Sequence, residues 1–475
     1  MLVRNGEAAL PGASAPLRVD IRVREGRVSE IAERLEPEAG EETVDAAGLL
    51  VLPGAIDSHV HFDTPGFTER ESFLRGSAEA LRGGVTTIID MPCTSLPPVV
   101  SAAALRNKLE AVAPEALCDY AFYGGIRGAG PDGPATTERD LEELAAAGVA
   151  GFKAYLVSGM DTFPAVDHEH LSRMIAKAAE LGLPVLVHAE DPAYVLPAAA
   201  RIKAARGTAA STWDDYVDSR PEAAETAACA ALMALARGRE CTLHVVHVGT
   251  SAAAELVAGS GGSCETCAHY LAFSREDFAT KGAALKTAPP VKSAAERERL
   301  WKLLASGAVS FVTSDHAPAR PEEKRGRGAW TAYGGIPGVG TTLPFLLSEG
   351  WLKGKLGLPR LLEATGGAQA ARFGLAARKG SIALGKDADL VLFDPKGSTT
   401  IRAERLYSKG RDTPFEGLAL EGSIRSVYLR GRLAYDAARD EGKPGALPRE
   451  GSISDAAPGV ALEPGFGRFL SRGCP

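Results

Sequence analysis

The sequence predicts an α/β fold: a (β/α)8 TIM-type barrel beside a small β-sandwich domain formed from both chain ends. Three observations lead there. From Gly54 to about Ala371, short apolar strands alternate with helical stretches, eight strands in all. Residues 1–53 and 375–440 carry β-rich runs broken by turns instead. The chain has 475 residues, well above the roughly 250 that a barrel occupies as one unit.

Taken in order, Leu17–Val23, Arg27–Ile31 and Leu49–Leu52 show half-buried strand patterning. The barrel then occupies residues 54–374. Its expected strands are Ala55–Phe62, Thr86–Met91, Asp119–Gly124, Gly151–Leu156, Pro184–Ala189, Thr242–Val248, Ser263–Leu271 and Ser310–Asp315. Helix signals lie between most of them. Ser101 is a good N-cap, and Thr137–Leu144, Asp167–Leu181, Arg220–Arg237 and Ser293–Ala305 read as helices. Strand-and-turn sequence returns at 380–393 and 424–432, so residues 1–53 and 375–440 pair into one domain. Residues 441–475 are rich in Gly and Pro, and are expected to form an extended tail, packed on a neighbour or partly disordered.

The bulk composition is that of an ordinary soluble protein, with 45% hydrophobic and 24% charged residues. A formal net charge of -7 argues against a nucleic-acid partner, which needs a basic face. No window reaches about 18 uninterrupted apolar residues, so no membrane span is expected. No early stretch resembles a signal peptide, and seven scattered cysteines read as reduced thiols in a cytoplasmic protein. Cys264 and Cys267 form a C-x-x-C, but no second pair stands at zinc-ribbon spacing.

The chemistry is written at the strand ends, where barrel active sites form. The first strand carries His59 and His61, two residues apart and therefore on one face. Lys153 stands on the fourth strand, His188 ends the fifth, His247 the sixth and Asp315 the eighth. A metal site is expected from these six. Asp315 can ligate a metal and also accept a proton from a bridging water. A Lys ammonium has no lone pair and cannot ligate. Buried near cations it loses its proton, and the neutral amine can take up carbon dioxide as a carbamate. The other reading pairs Lys153 with a carboxylate. His244 is expected to be structural, His168 and His170 solvated, and His269 and His316 supporting groups.

The run Leu52-Pro-Gly-Ala-Ile-Asp-Ser-His-Val-His resembles the metal-binding opening of the cyclic-amide branch of the amidohydrolase superfamily, which holds dihydroorotases, allantoinases and hydantoinases. The resemblance continues in Gly83-Gly-Val-Thr-Thr-Ile-Ile-Asp-Met-Pro, Gly151-Phe-Lys-Ala-Tyr, Val187-His-Ala-Glu, Glu265-Thr-Cys-Ala-His-Tyr-Leu, Ala288-Pro-Pro, Ser314-Asp-His-Ala-Pro and Gly385-Lys-Asp-Ala-Asp-Leu-Val. It implies two divalent metals, usually zinc, bridged by carbamylated Lys153. His59, His61 and Asp315 would hold the more buried ion, and His188 and His247 the other. It also implies ring opening by an activated water, with Asp315 as general base and then acid. Relatives of this kind are commonly homodimers or homotetramers.

The substrate is then a small cyclic amide or ureide. Dihydroorotases usually hold a carboxylate through residues that here are Asp63, Cys93, Ala288 and Ala319. None of these supplies the lost charge-assisted bonds, each worth roughly 1.5–3 kcal/mol. Met91-Pro-Cys-Thr-Ser-Leu-Pro-Pro and Lys286-Thr-Ala-Pro-Pro look more like allantoinases. Tyr333-Gly-Gly-Ile-Pro-Gly-Val is similar to hydantoinases, and Tyr155 stands where their pocket tyrosine does. The backbone near Ala288 and Gly334 would hold the ring imide. An allantoinase- or hydantoinase-like activity is therefore expected, with dihydroorotase as the alternative and a non-catalytic dihydropyrimidinase-like scaffold as the third reading.

Overall fold

The computed structural model describes residues 1–440 and 457–473; most of the first half of the expected tail, 441–456, and residues 474–475 lie outside the described residues. The eight expected strands all form, seven of them shorter than expected and one, Val85–Asp90, of the expected length but starting one residue earlier. β1 (Ala55–Val60), β2 (Val85–Asp90) and β3 (Asp119–Phe122) make a parallel sheet in the order β3-β2-β1. One residue beyond β3, the short strand Gly124–Gly125 opens a second parallel sheet. It continues through β4 (Phe152–Tyr155), β5 (Val185–His188), β6 (Leu243–Val245), β7 (Ser263–Cys267) and β8 (Phe311–Thr313). A parallel bridge between Val60 and His316 links the end of β1 to the segment after β8, and His61 N–H donates to the His316 carbonyl at 2.8 Å. β1, β2, β4 and β5 are buried along their whole length. That is why they read as near-continuous apolar runs: parallel strands are covered on both faces.

Side-chain caps start the connecting helices at the expected places. Ser101 Oγ accepts from Ala104 N–H at 3.2 Å, and Asp167 Oδ1 accepts from His170 N–H at 2.8 Å. Thr137 and Asp140 cap each other reciprocally. Two segments depart from expectation. Strand β7 stops at Cys267, and Ala268–Ala272 is helical, because periodicity alone does not separate a short apolar helix from a strand. Between β5 and β6 the structure adds helices Pro192–Arg206 and Trp213–Asp218 before Glu222–Leu235. No helix among the described residues is long and apolar enough to cross a membrane.

The chain ends form two further sheets. One runs Arg432–Asp436, Ala419–Leu429, Leu390–Thr400, Leu50–Pro53, Glu7–Ala8, Leu17–Arg18; the other runs Arg27–Ala32, Asp20–Arg24, Leu2–Arg4, Thr43–Asp45. Val3, Ile21 and Val23 of the four-stranded sheet share one buried apolar cluster with Val51, Leu390 and Leu392 of the six-stranded one. Residues 457–473 fold back onto this same chain. Leu470 N–H donates to the Tyr120 carbonyl at 2.7 Å, and the Phe469 ring lies 5.8 Å from that of Phe122.

A buried charge cluster ties these parts together. Lys379 Nζ donates to Asp119 Oδ2 at 2.6 Å and to Asp389 Oδ2 at 2.7 Å, and pairs with Asp387 at 3.0 Å. Asp119 opens β3; its other oxygen accepts from Arg430 and from Arg468 N–H.

Candidate metal centre and cleft

Strand pleating brings the two histidines of β1 to one side, and the C-terminal ends of the other strands bring the rest. His59 Nε2 lies 3.3 Å and His61 Nε2 3.4 Å from Asp315 Oδ1. These three form a group whose ligand atoms all fall within 4.8 Å of one another. His188 Nδ1 lies 3.0 Å from His247 Nε2. The His247 ring centroid is 5.4 Å from that of His59, so the two histidine pairs are neighbours.

Two of these residues sit on unusual backbone. His247 has φ 40° and Asp315 φ 48°. Left-handed backbone is uncommon outside Gly, with Asn, Asp and His the most frequent exceptions, and it recurs where a fold aims a functional group. Both lie two residues past a strand end, where the chain turns.

Lys153 on β4 is fully buried, and its Nζ has no hydrogen-bond partner among the described residues. It lies 4.8 Å from the Tyr155 ring centroid, and burial pushes its ammonium down to about 8. Among the described residues it forms no ion pair with a carboxylate. The donor set fits metal binding. It holds four histidines, a carboxylate and an orphaned amine able to react with carbon dioxide; burial opposes charge on His61, but Cys93 and Asp315 beside it push it up to about 10. Burial holds His59, His188 and His247 below the ordinary histidine range. Burial alone would raise Asp315, but the surrounding histidines hold its carboxyl well below the usual range.

Two carboxylates, quoted in the sequence motifs without a role, orient these ligands. Glu265 Oε1 accepts from His59 Nδ1 at 2.6 Å and from Thr313 Oγ1 at 3.0 Å, while Oε2 meets His244 Nε2 at 3.1 Å. Glu190 Oε2 meets His188 Nε2 at 2.8 Å and is paired with Arg220. Such partners fix which ring nitrogen faces a metal.

The remaining histidines sort as follows. His244 is buried and structural, stacked on Phe311. His316 supports the turn after β8, its Nδ1 accepting from Gly338 N–H at 3.1 Å. His168 is exposed, but His170 is buried with Nε2 2.7 Å from the Thr136 carbonyl, so the expectation of a solvated pair holds for His168 alone. His269 is buried with neither ring nitrogen partnered among the described residues, and burial pulls it down to about 4.

The centre opens into a cleft of about 510 Å³. Tyr155, Ala288 and Gly334 line it, as do His59, His61, His188, His247 and Asp315. Tyr155 Oη lies 3.1 Å from Cys93 Sγ, and its ring stacks on His188. The loops carrying Ala288 and Gly334 are laced together, with Gly335 N–H donating to the Lys286 carbonyl at 3.0 Å. Lys203, Tyr216, Arg220, Lys286 and Trp330 complete one wall; none was expected at the site as a side chain, because helix and loop residues carry no strand-end signature.

A parallel α/β fold with this donor set at its strand ends defines a class of metal-dependent hydrolase. The chain belongs to the Amidohydrolase family, whose model matches residues 50–434. It is 41% identical over 445 residues to an allantoinase from Rubrobacter xylanophilus, covering 92% of this chain and 95% of that one. It is also 41% identical over 441 residues to an allantoinase from Solibacter usitatus, covering 92% and 93%. Among solved structures it is similar to the L-hydantoinase (dihydropyrimidinase) from Arthrobacter aurescens. The TM-score is 0.88, at 30% identity and 99% coverage of both chains.

Proposed function

We propose that this protein hydrolyses a ring C–N bond of a small cyclic ureide, as an allantoinase or a hydantoinase does. The carrying observation is the convergence of His59, His61, His188, His247 and Asp315 on one cleft, with orphaned Lys153 beneath. The relatives named above support the substrate class. The eight parallel strands and their neighbours support closure into a (β/α)8 barrel over residues 54–374. The shared apolar cluster supports a β-sandwich from 1–53 and 375–440, with 441–475 as a C-terminal tail.

His59, His61 and Asp315 would hold one divalent ion and His188 and His247 another, with carbamylated Lys153 between; zinc suits this donor set. The ions, when bound, supply Lewis acidity toward water and the ring carbonyl. Asp315 takes the proton of the attacking water on its carboxylate and passes it to the leaving ring nitrogen. Tyr155 and the backbone at Ala288 and Gly334 position the ring. Water attack yields a ring-opened carbamoyl or ureido acid. Buried, unpaired cysteines support a reducing, cytoplasmic setting, and a homodimer or homotetramer is the expected assembly.

The test is a turnover panel of allantoin, dihydroorotate, dihydrouracil and 5-substituted hydantoins, run after loading with zinc and bicarbonate. Turnover of allantoin or a hydantoin is expected, with two metals per chain by elemental analysis and fewer in Lys153→Ala. Efficient turnover of dihydroorotate alone, or of none of the panel, overturns the reading.

A further inference from the structure

One wall of the cleft is built of hydrogen-bond donors with little to accept from them. Lys286 is 6% exposed, and its Nζ donates to one acceptor among the described residues, the Ala332 carbonyl at 2.6 Å. Its ammonium lies 4.8 Å from the Tyr216 ring centroid. Arg220 stacks on the same ring at 5.4 Å, its charge answered by Glu190. Lys203 lies 4.6 Å from the Trp330 ring centroid, and Trp330 Nε1 is buried without an acceptor among the described residues. Lys286 and Lys203 form no ion pair among the described residues. All five side chains line the cleft that holds the metal-ligand candidates.

We propose that Lys286, Lys203 and Trp330 form a recognition subsite for a ring substituent ending in a carbonyl or carboxylate oxygen. The subsite rests on the cyclic-ureide reading and deepens it. A buried ammonium with one acceptor for its three donors and a buried indole N–H with none are costly, so a ligand offering acceptors there gains what a purely apolar substituent does not. The neighbouring cations reinforce the demand: burial and the nearby Arg220 and Lys203 push Lys286 down to about 8, a cost that an oxygen acceptor relieves. Tyr216 and Trp330 supply flat apolar flanks, so the arm is held between rings with its oxygen toward the cations.

The metal-loaded protein is compared on four rings: hydantoin, 5-methylhydantoin, 5-carboxymethylhydantoin and 5-ureidohydantoin (allantoin). The readout is the ratio of kcat/KM for each oxygen-bearing ring to that for 5-methylhydantoin. In Lys286→Met this ratio is expected to fall at least tenfold, mainly through KM, and to recover in Lys286→Arg. Lys203 is exposed, so Lys203→Met tests the same wall without disturbing the interior; a smaller fall, about threefold, is expected. Ratios unchanged in both Met variants would overturn the subsite while leaving cyclic-ureide hydrolysis standing. A wild-type protein that opens none of the four rings overturns both.

Discussion

At the scale of single residues, Glu265 shows how a side chain two steps from the chemistry governs it. Its carboxylate receives His59 Nδ1, Thr313 Oγ1 and His244 Nε2 in a fully buried site. His59 is thereby fixed with Nε2 free toward Asp315. Glu265→Gln replaces an acceptor with a group that is half donor, and weakens this orientation. Metal affinity is expected to fall by roughly 10- to 100-fold. Competition with a chromophoric chelator measures it, and an affinity equal to that of the wild type rejects the role. The four histidines and Asp315 were legible in the sequence because their types are unusual at the ends of apolar strands, whereas Lys153 became a ligand candidate mainly through the family resemblance. Glu265, Glu190 and Lys286 were not legible, because their roles come from partners on other strands and loops. The fate of His170 was hidden for the same reason: a helix-opening histidine looks exposed until a neighbouring loop covers it.

Among elements, the strands were the legible part and their connections less so. β1 to β8 announce themselves by short buried runs, whereas the helix Pro192–Arg206 buries only Val195, Ala198 and Ile202 and was not among the expected helices. The segment Pro321–Lys324 shows how such connections are secured. Lys324 Nζ donates to the carbonyls of Ala283 at 2.8 Å and Lys286 at 3.3 Å. Burial, with Lys286 nearby, pushes Lys324 down to about 7 from an ordinary 10.5. The unfolded chain therefore holds this proton more tightly than the folded one between about 7 and 10.5. Stability contributed here rises as pH climbs through that window, since the unfolded state binds more protons there. Urea denaturation at pH 7 and pH 9.5 should show the increase, and Lys324→Met should lose much of it. Identical slopes against pH in the two proteins would remove Lys324 as the cause.

For the whole molecule, the cluster around Lys379 is the fastening between its parts. Asp119 belongs to β3, Asp387 and Asp389 precede the strand Leu390–Thr400, and Arg430 and Arg468 come from further along. Asp119→Ala would leave Lys379 and Arg430 short of a buried counter-charge. A loss of about 3–5 kcal/mol is expected. Thermal or denaturant unfolding reads it, and a loss below about 1 kcal/mol would mean that Asp387 and Asp389 suffice. The pairing of the two chain ends was visible as β-rich sequence at both, whereas this cluster was not. Its members are spread from 119 to 468, and charge spacing along a chain says nothing about such a meeting.

The seam where Leu50–Pro53 pairs antiparallel with Leu390–Thr400 also sets an order of events during synthesis. The first strand leaves the ribosome about 340 residues before its partner exists, a delay on the order of half a minute at ordinary elongation rates. For that interval an apolar edge with unpaired backbone groups waits for its neighbour, which is the condition under which chains associate wrongly. The nascent protein can assemble its central parallel strands in sequence, but its N-terminal sheet must remain open until translation is nearly done, so faithful folding depends on how well that edge is sheltered.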